Sequence, residues 1–344
     1  MRTPPRRGWW GVSEYRSVKN AASADGHATS EGERFVRCPM SLEQTRLKPR
    51  HALHDGPCMV KVVRRVAEWV AALLIGLLVI GGVLAEMSMH VRRPPGLGAC
   101  PPGTPQAIAF DGVILRGKFR GSGDRGCVLL LHGIGDTHFG MNGFSEVLVA
   151  AGYRTLAPDS RSHGWSGDAL VTYGVRESRD VSTWVDWLQG RGCTRIFGLG
   201  ESLGGAVLLQ SLAHETRFRA VVADSAYSSF PRIAVDRINR VLGVPAWLGD
   251  FAAVPAVAGG MFYARVRYGV DLKATSAVDA LRETRTPVLL IDGLEDSHTP
   301  IAHSRRMARV NREIQLWEVA GADHCGAFGT QPVEFQRRVL ERFQ

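Results

Sequence analysis

The stretch Arg195-Ile196-Phe197-Gly198-Leu199-Gly200-Glu201-Ser202-Leu203-Gly204-Gly205 leaves the chain few folds to choose from. It reads as a short apolar strand, an abrupt turn carrying one serine, and a helix that begins at Leu203 and runs on through Ala206-Val207-Leu208-Leu209. Gly200-Glu201-Ser202-Leu203-Gly204 fits G-x-S-x-G, the pattern that holds a serine on a strained strand-to-helix turn. Such a turn has no room for a Cβ two residues either side of the serine. Gly200 and Gly204 meet that demand, and Gly205 lets the helix lie close to the sheet. The helix N-terminus places free N–H groups and partial positive charge beside Ser202. Five residues with three fixed can match by chance; the apolar strand before and the apolar helix after weigh against that.

Similar units flank this stretch. Ala107 to Phe110 and Val113 to Phe119 read as strands joined by Asp111-Gly112, a hairpin signal. Cys127-Val128-Leu129-Leu130-Leu131 is a continuous apolar run, as in a strand buried on both faces. Phe144 to Ala151 reads as a helix and Tyr153 to Ala157 as a strand. Arg176 to Leu188 is an amphipathic helix with Val181, Trp184, Val185 and Leu188 on one face. Phe218 to Ala223, Val288 to Ile291 and Ile314 to Val319 read as strands, with helices at Ile301 to Val310 and Val333 to Phe343. This alternation predicts an α/β fold with a mostly parallel sheet and helices on both faces. The segment at about 225–285 carries Phe230, Trp247, Phe251, Phe262 and other apolar residues, and reads as a mostly helical cap insertion. Most of its apolar side chains are expected to pack the cap on the body, with an acyl pocket or a membrane contact as the alternatives.

Upstream of this alternating body the pattern differs. Residues 1–58 are polar, rich in Arg, Gly and Ser, and without sustained period; they read as a disordered or non-native N-terminal extension, the second case placing the true start at Met59. Residues 59–91 read as a membrane anchor. Trp69 to Ala85 is an uncharged apolar run with no polar face, and with its flanks it covers the ~30 Å hydrocarbon core as one transmembrane helix. Lys61, Arg64 and Arg65 precede it while Arg92 and Arg93 follow. That balance favours an inside N-terminus and a single-pass protein with an extracytoplasmic catalytic domain. A cleaved signal peptide is the rival reading, since Val83-Leu84-Ala85 resembles a cleavage site, but the run is long for one. Residues 92–105 form a Pro/Gly linker, and 106–344 the folded body.

Net charge is +9, with much of the excess ahead of residue 65. There is no zinc-finger spacing, RNA-binding signature or basic-aromatic stripe, so nucleic acid is not an expected partner. None of the six cysteines forms C-x-x-C, and no H-E-x-x-H occurs among eleven histidines, so no metal is expected. Cys127 and Cys193 each open an expected strand. They pair if those strands are neighbours in an oxidising compartment, and otherwise are buried thiols.

A serine hydroxyl is a poor nucleophile at neutral pH and needs a base, which in turn needs an orienting carboxylate. In parallel sheets such groups sit in loops at the carboxyl ends of strands. After Val288–Ile291 comes Asp292-Gly293-Leu294-Glu295-Asp296-Ser297-His298-Thr299-Pro300; after Ile314–Val319 comes Ala320-Gly321-Ala322-Asp323-His324-Cys325. Ser202, Asp296 and His324 fall in the chain order of one known triad arrangement. Rivals remain at this level: Ser166 as nucleophile, Asp292 or Glu295 as acid, His132 or His298 as base. Asp323 is next to His324 and is expected to point elsewhere.

From about Gln106 onward the chain resembles serine-type α/β-hydrolases, and is most similar to their membrane-anchored, Bem46-like branch. It is more distantly similar to prolyl-oligopeptidase-type catalytic domains. The likeness is carried, beyond the elbow, by Asp111-Gly112-Val113-Ile114-Leu115-Arg116-Gly117, Leu131-His132-Gly133-Ile134-Gly135-Asp136 and Asp159-Ser160-Arg161-Ser162-His163-Gly164-Trp165-Ser166-Gly167. Thr172-Tyr173-Gly174 with Glu177 and Asp180, the segment Pro287 to Asp296, and Asp323-His324 add to it. The resemblance implies an α/β-hydrolase fold, selects Asp296 as the acid, and makes the N–H groups of Ile134 and Leu203 the oxyanion hole. It implies ester or thioester hydrolysis through an acyl-enzyme, without cofactor, on a small-molecule or lipid-like acyl substrate. A peptidase, an acyltransferase or an idle scaffold on the same fold are the alternatives. Asp292 and Ser162 depart from the family pattern; Ser162 stands where relatives have glycine, so a different turn is expected there, and Arg161 and His163 are expected to be structural.

Overall fold

The computed structural model describes residues 56–93, 98–274 and 276–344. The N-terminal extension up to residue 55 and part of the Pro/Gly linker lie outside the described residues. The first described element is a long helix, α1 (Gly56–Met89). An eight-stranded sheet follows, in the order β1-β2-β4-β3-β5-β6-β7-β8. β1 (Gln106–Ile108) and β2 (Ile114–Arg120) form the hairpin that Asp111-Gly112 predicts, and β2 runs antiparallel to β4 (Arg154–Pro158). All remaining pairings are parallel, through β3 (Cys127–Leu131), β5 (Ile196–Glu201), β6 (Phe218–Asp224), β7 (Val288–Gly293) and β8 (Ile314–Val319).

Central strands are apolar on both sides because helices cover both sides. All five residues of β3 are buried. Cys127, Leu129 and Leu131 join a core with α3 (Glu177–Gly190), α4 (Leu203–Ser211) and α7 (Ala277–Glu283). Val128 and Leu130 face the opposite core, with α2 (Asn142–Ala150) and α10 (Pro332–Arg342). The short helices α8 (Ala302–Ala308) and α9 (Ala327–Thr330) complete the layers. This is the doubly covered, mostly parallel sheet that the sequence predicts.

The insertion between β6 and β7 holds α5 (Phe230–Leu242) and α6 (Ala246–Tyr268) as well as α7. His303 of α8 ties α5 to the body. Its Nδ1 accepts the Ser228 N–H at 3.1 Å, so its Nε2 carries the proton donated to Asp236 at 3.0 Å.

Among the described residues, α1 is the one helix long and apolar enough to cross a membrane. Most of its large side chains are exposed, Trp69 at 76% and Leu73 at 63%. Its last turn is nonetheless seated on the body. Met89 is fully buried, its carbonyl accepts the Val171 N–H at 2.9 Å, and the Ser88 carbonyl accepts the Tyr173 hydroxyl at 3.0 Å.

Cys127 and Cys193 form a disulfide with a Cα–Cα distance of 5.8 Å; Cys193 lies in the loop ahead of β5, which is the parallel neighbour of β3. A cross-link over a sequence separation of 66 restricts the unfolded chain and contributes about 2–4 kcal/mol on the usual scale. Cys193→Ala is therefore expected to lower the denaturant midpoint by a corresponding amount. An unchanged midpoint, against an oxidised wild type, contradicts this.

Candidate active site

Ser202 lies between the end of β5 and the start of α4, with φ 50° and ψ −115°. That strain is maintained by close packing around it. A Cβ on Gly200 would come within 2.7 Å of the Gly204 carbonyl carbon, and one on Gly204 would overlap the Leu131 carbonyl of β3. The Ser202 N–H is bonded to the Asp224 carbonyl at 2.8 Å, which pins the turn from the other side.

Asp296 follows β7 and His324 follows β8, so both loops open at the same edge of the sheet as the elbow. His324 Nε2 lies 2.9 Å from Ser202 Oγ, and its Nδ1 lies 2.7 Å from Asp296 Oδ2. The other Asp296 oxygen accepts the N–H groups of His298 and Thr299, each at 2.8 Å. Burial works against the charge on Asp296, but the bonds from His324, Thr299 and His298 outweigh it and hold the carboxyl below its ordinary range. An ionised Asp296 accepts only. Nδ1 of His324 must then carry the proton, and Nε2 is free to accept from the Ser202 hydroxyl.

The sequence-level rivals are engaged elsewhere. Ser166 Oγ donates to the Asp159 carbonyl at 2.7 Å and accepts the Arg116 N–H at 2.8 Å. Asp292 is buried against Ser304, which donates to it at 2.6 Å. Burial, with Asp296 and Asp224 nearby, pushes Asp292 up to about 8, so it is a neutral acid at pH 7. Glu295 is exposed, and the His298 ring lies 5.2 Å from that of His324 while its backbone N–H is given to Asp296.

Ile134 and Leu203 flank the serine. Leu203 is the first residue of α4, and neither its N–H nor that of Ile134 donates a hydrogen bond among the described residues. Gly133 comes so near that a Cβ on it would touch Ser202 Cβ at 3.4 Å. Two histidines shape this loop. His132 Nε2 accepts the Ser160 N–H at 3.0 Å, and His163 Nε2 accepts the Gly135 N–H at 3.0 Å. Their Nδ1 protons are donated to the carbonyls of Gly133 and Arg161. Both rings are thus neutral. Burial lowers His132, and burial with the neighbouring His132 lowers His163 to about 4. Arg161 is buried in a double ion pair with Asp180 and Asp111, which ties α3 to the β1–β2 turn, as the structural expectation for it holds. Ser162 takes φ 65°, the left-handed region that glycine favours, so the serine is accommodated without abandoning that conformation.

Two groups near the site carry no mark in the sequence pattern. Asp224, at the end of β6, is buried with one carboxylate oxygen lacking a partner among the described residues, and burial pushes it up to about 7. Its place at a carboxyl end of a parallel strand is the one available signal. Cys325 follows His324 with φ 55°; burial and the acids Glu201, Asp224 and Asp296 raise its thiol well above the ordinary value, so it stays protonated. No group of His, Cys, Asp and Glu that can hold a metal ion occurs among the described residues.

This fold is shared with known proteins. Residues 128–337 match the alpha/beta hydrolase family, and the chain belongs to it. Among curated relatives, the uncharacterized protein YqkD of Bacillus subtilis (strain 168) is 24% identical over 219 residues, 62% of this chain and 70% of that one. A thermostable monoacylglycerol lipase of Bacillus sp. (strain H-257) is 31% identical over 114 residues, 31% of this chain and 43% of the lipase. Of solved structures, an esterase of Pyrococcus furiosus superposes with a TM-score of 0.59 at 24% identity, covering 74% of this chain and 97% of the esterase. A hydrolase of Pseudomonas aeruginosa gives a TM-score of 0.53 at 20% identity, covering 70% of this chain and 98% of that one. At these identities the two structures establish the fold.

The neutral histidines generate a pH prediction. A histidine held at about 4 in the folded state but near 6.5 when unfolded leaves the unfolded chain binding more protons as pH falls through that window. Its contribution is fully present above pH 6.5 and is lost progressively between about 6.5 and 4. Unfolding free energy measured across this range should fall toward acid. His163→Gln, which does not titrate, should show a shallower slope; an equal slope contradicts the assignment.

Proposed function

We propose that the chain is a serine hydrolase that cleaves carboxylic esters, thioesters included, through an acyl-enzyme on Ser202. The observation that carries this reading is the unbroken line from Ser202 Oγ to His324 to Asp296, at 2.9 and 2.7 Å. In this mechanism Ser202 Oγ attacks the acyl carbonyl while its proton passes to His324 Nε2. Asp296 stabilises the resulting imidazolium and holds its orientation. The N–H groups of Ile134 and Leu203 stabilise the oxyanion; loss of one such donor typically costs about 10²–10³ in turnover. His324 returns the proton to the departing alcohol or thiol. Water, activated by the same histidine, then releases the acid and restores the Ser202 hydroxyl.

The names of the esterase and the monoacylglycerol lipase above support an ester substrate. An apolar cavity beside Leu203 and Ile134 favours an acyl ester over a peptide. The domain reading follows: residues 59–91 as a single membrane anchor, 92–105 as the linker, and 106–344 as the hydrolase with its cap at about 225–285, an arrangement in keeping with the Bem46-like branch. The disulfide supports an oxidising compartment for the catalytic domain. Lys61, Arg64 and Arg65 ahead of the apolar run support the same sidedness.

Labelling by a fluorophosphonate serine probe tests the reading. The wild type should label and Ser202→Ala should not. Persistent labelling in the variant moves the nucleophile, and a folded wild type that never labels overturns the mechanism.

The two aspartates separate by role. Asp296→Asn removes the charge that orients His324 and should lower ester turnover by about 10⁴. Asp292→Asn replaces a neutral acid with a neutral amide and should stay far closer to the wild type in the same assay. Equal losses contradict the assignment of Asp296.

A further inference from the structure

A cavity of about 440 Å³ lies under the cap, within the ~300–1,000 Å³ typical of ligand pockets. Its lining includes Leu203, which follows Ser202, and Ile134, which follows the Gly133 packed near Ser202 Cβ, so the cavity reaches the neighbourhood of the nucleophile. One wall is formed by α5 and α6, through Phe230, Ile233, Ile238, Val257 and Met261. The facing wall belongs to neither cap nor sheet: it is Ile80, Gly81, Leu84, Ala85 and Ser88 of α1.

That wall is fixed in place. α1 and α6 lie side by side and point the same way, Leu78 against Gly259, Gly81 against Gly260, and Glu86 against Tyr263 and Tyr268. Gly81 and Ala85 on α1 meet Ala256 and Gly260 on α6, small residues four apart on each helix. A Cβ on Gly81 would overlap the Ala256 carbonyl, and one on Gly260 would come within 2.8 Å of the Gly81 carbonyl. Such backbone contact is the way helices associate in lipid. At the base, Glu86 accepts the hydroxyls of Tyr263 at 2.9 Å and Tyr268 at 2.7 Å.

The tyrosine hydroxyls around the cavity are already used. The Tyr173 hydroxyl donates to Ser88 and the Tyr227 hydroxyl to the Tyr173 carbonyl, so both present ring surface; Arg237 is the charged side chain in the lining. Away from the cavity, α6 exposes Phe251 at 76%, Phe262 at 68% and Val266 at 70%, beside the exposed Val79 and Val83 of α1. An apolar outer face thus continues the surface of the candidate anchor up to the cavity wall.

We propose that α1 is both membrane anchor and one wall of the acyl-chain pocket, and that the substrate is a long-chain acyl ester taken from the bilayer. This deepens, and rests on, the reading of Ser202 as an ester-cleaving nucleophile. Cleavage after Ala85 would remove most of this wall, so the functional form retains α1.

The test uses the full chain in detergent micelles, with p-nitrophenyl palmitate and p-nitrophenyl acetate as probes. The readout is the palmitate-to-acetate ratio of kcat/KM. Leu84→Trp fills the cavity from the α1 side, and Ile80→Trp is a second variant of the same wall. Each should lower the ratio by about ten-fold or more, the scale of losing burial of a few methylenes. Val83→Trp sits on the outward face of the same turn and should leave the ratio unchanged. A ratio unmoved in both Leu84→Trp and Ile80→Trp, including a parallel fall on both esters, overturns the pocket assignment. A wild type that labels at Ser202 yet cleaves neither ester overturns instead the ester reading beneath it.

Discussion

The close approach of backbones at the β5–α4 turn is the constraint on which the site depends. Gly200, Gly204 and Gly205 allow the turn to close against β3 and against itself, with no side chain between. Only then can Ser202 hold φ 50° with its hydroxyl presented to His324 rather than buried in a helix. The first N–H of α4 follows Ser202 directly, and the loop after β3 packs against its Cβ through Gly133. Geometry that a glycine-free sequence cannot reach therefore comes before any chemistry of the serine.

Charge around the turn is arranged in layers. Asp296 is kept ionised by three N–H donors, while Asp292 and Asp224 behind it are pushed up to about 8 and about 7 by burial. Raising Asp292 and Asp224 reduces the mutual repulsion that three fully ionised carboxylates would impose beside one histidine. The oxyanion-side loop is built in the opposite way, from rings held neutral so that they can accept the N–H groups of Ser160 and Gly135. His324 differs from both rings of that loop: it has a carboxylate on one nitrogen and the Ser202 hydroxyl on the other.

Much of this was legible in the sequence because it rests on local rules. Continuous apolar runs marked the buried strands, and alternation with helices gave the sheet its direction. Chain order then brought Ser202, Asp296 and His324 to one edge. What escaped was long-range. Nothing in the spacing of Asp224 says that it lies beneath the elbow, since its neighbours come from β5 and β7. The pairing of Cys127 with Cys193 required knowing that β3 and β5 are adjacent. The seating of α1 on the cap was hidden for a different reason. Gly81 and Ala85 look like ordinary members of an apolar span, and only the facing Ala256 and Gly260 give them meaning.

The helix that reads as a tether is thus continuous with the body at its last turn, through Met89, Ser88 and Tyr173. Residues of α1, α5 and α6, with Leu203 at the start of α4, line one apolar cavity. The most direct measurement of the central claim is mass spectrometry of the intact protein, rapidly quenched after mixing with a p-nitrophenyl ester. One acyl group should be added, and digestion should place it on the peptide containing Ser202. An acyl group on any other residue, or product release with no adduct on that peptide even at the shortest quench, would contradict covalent catalysis by Ser202.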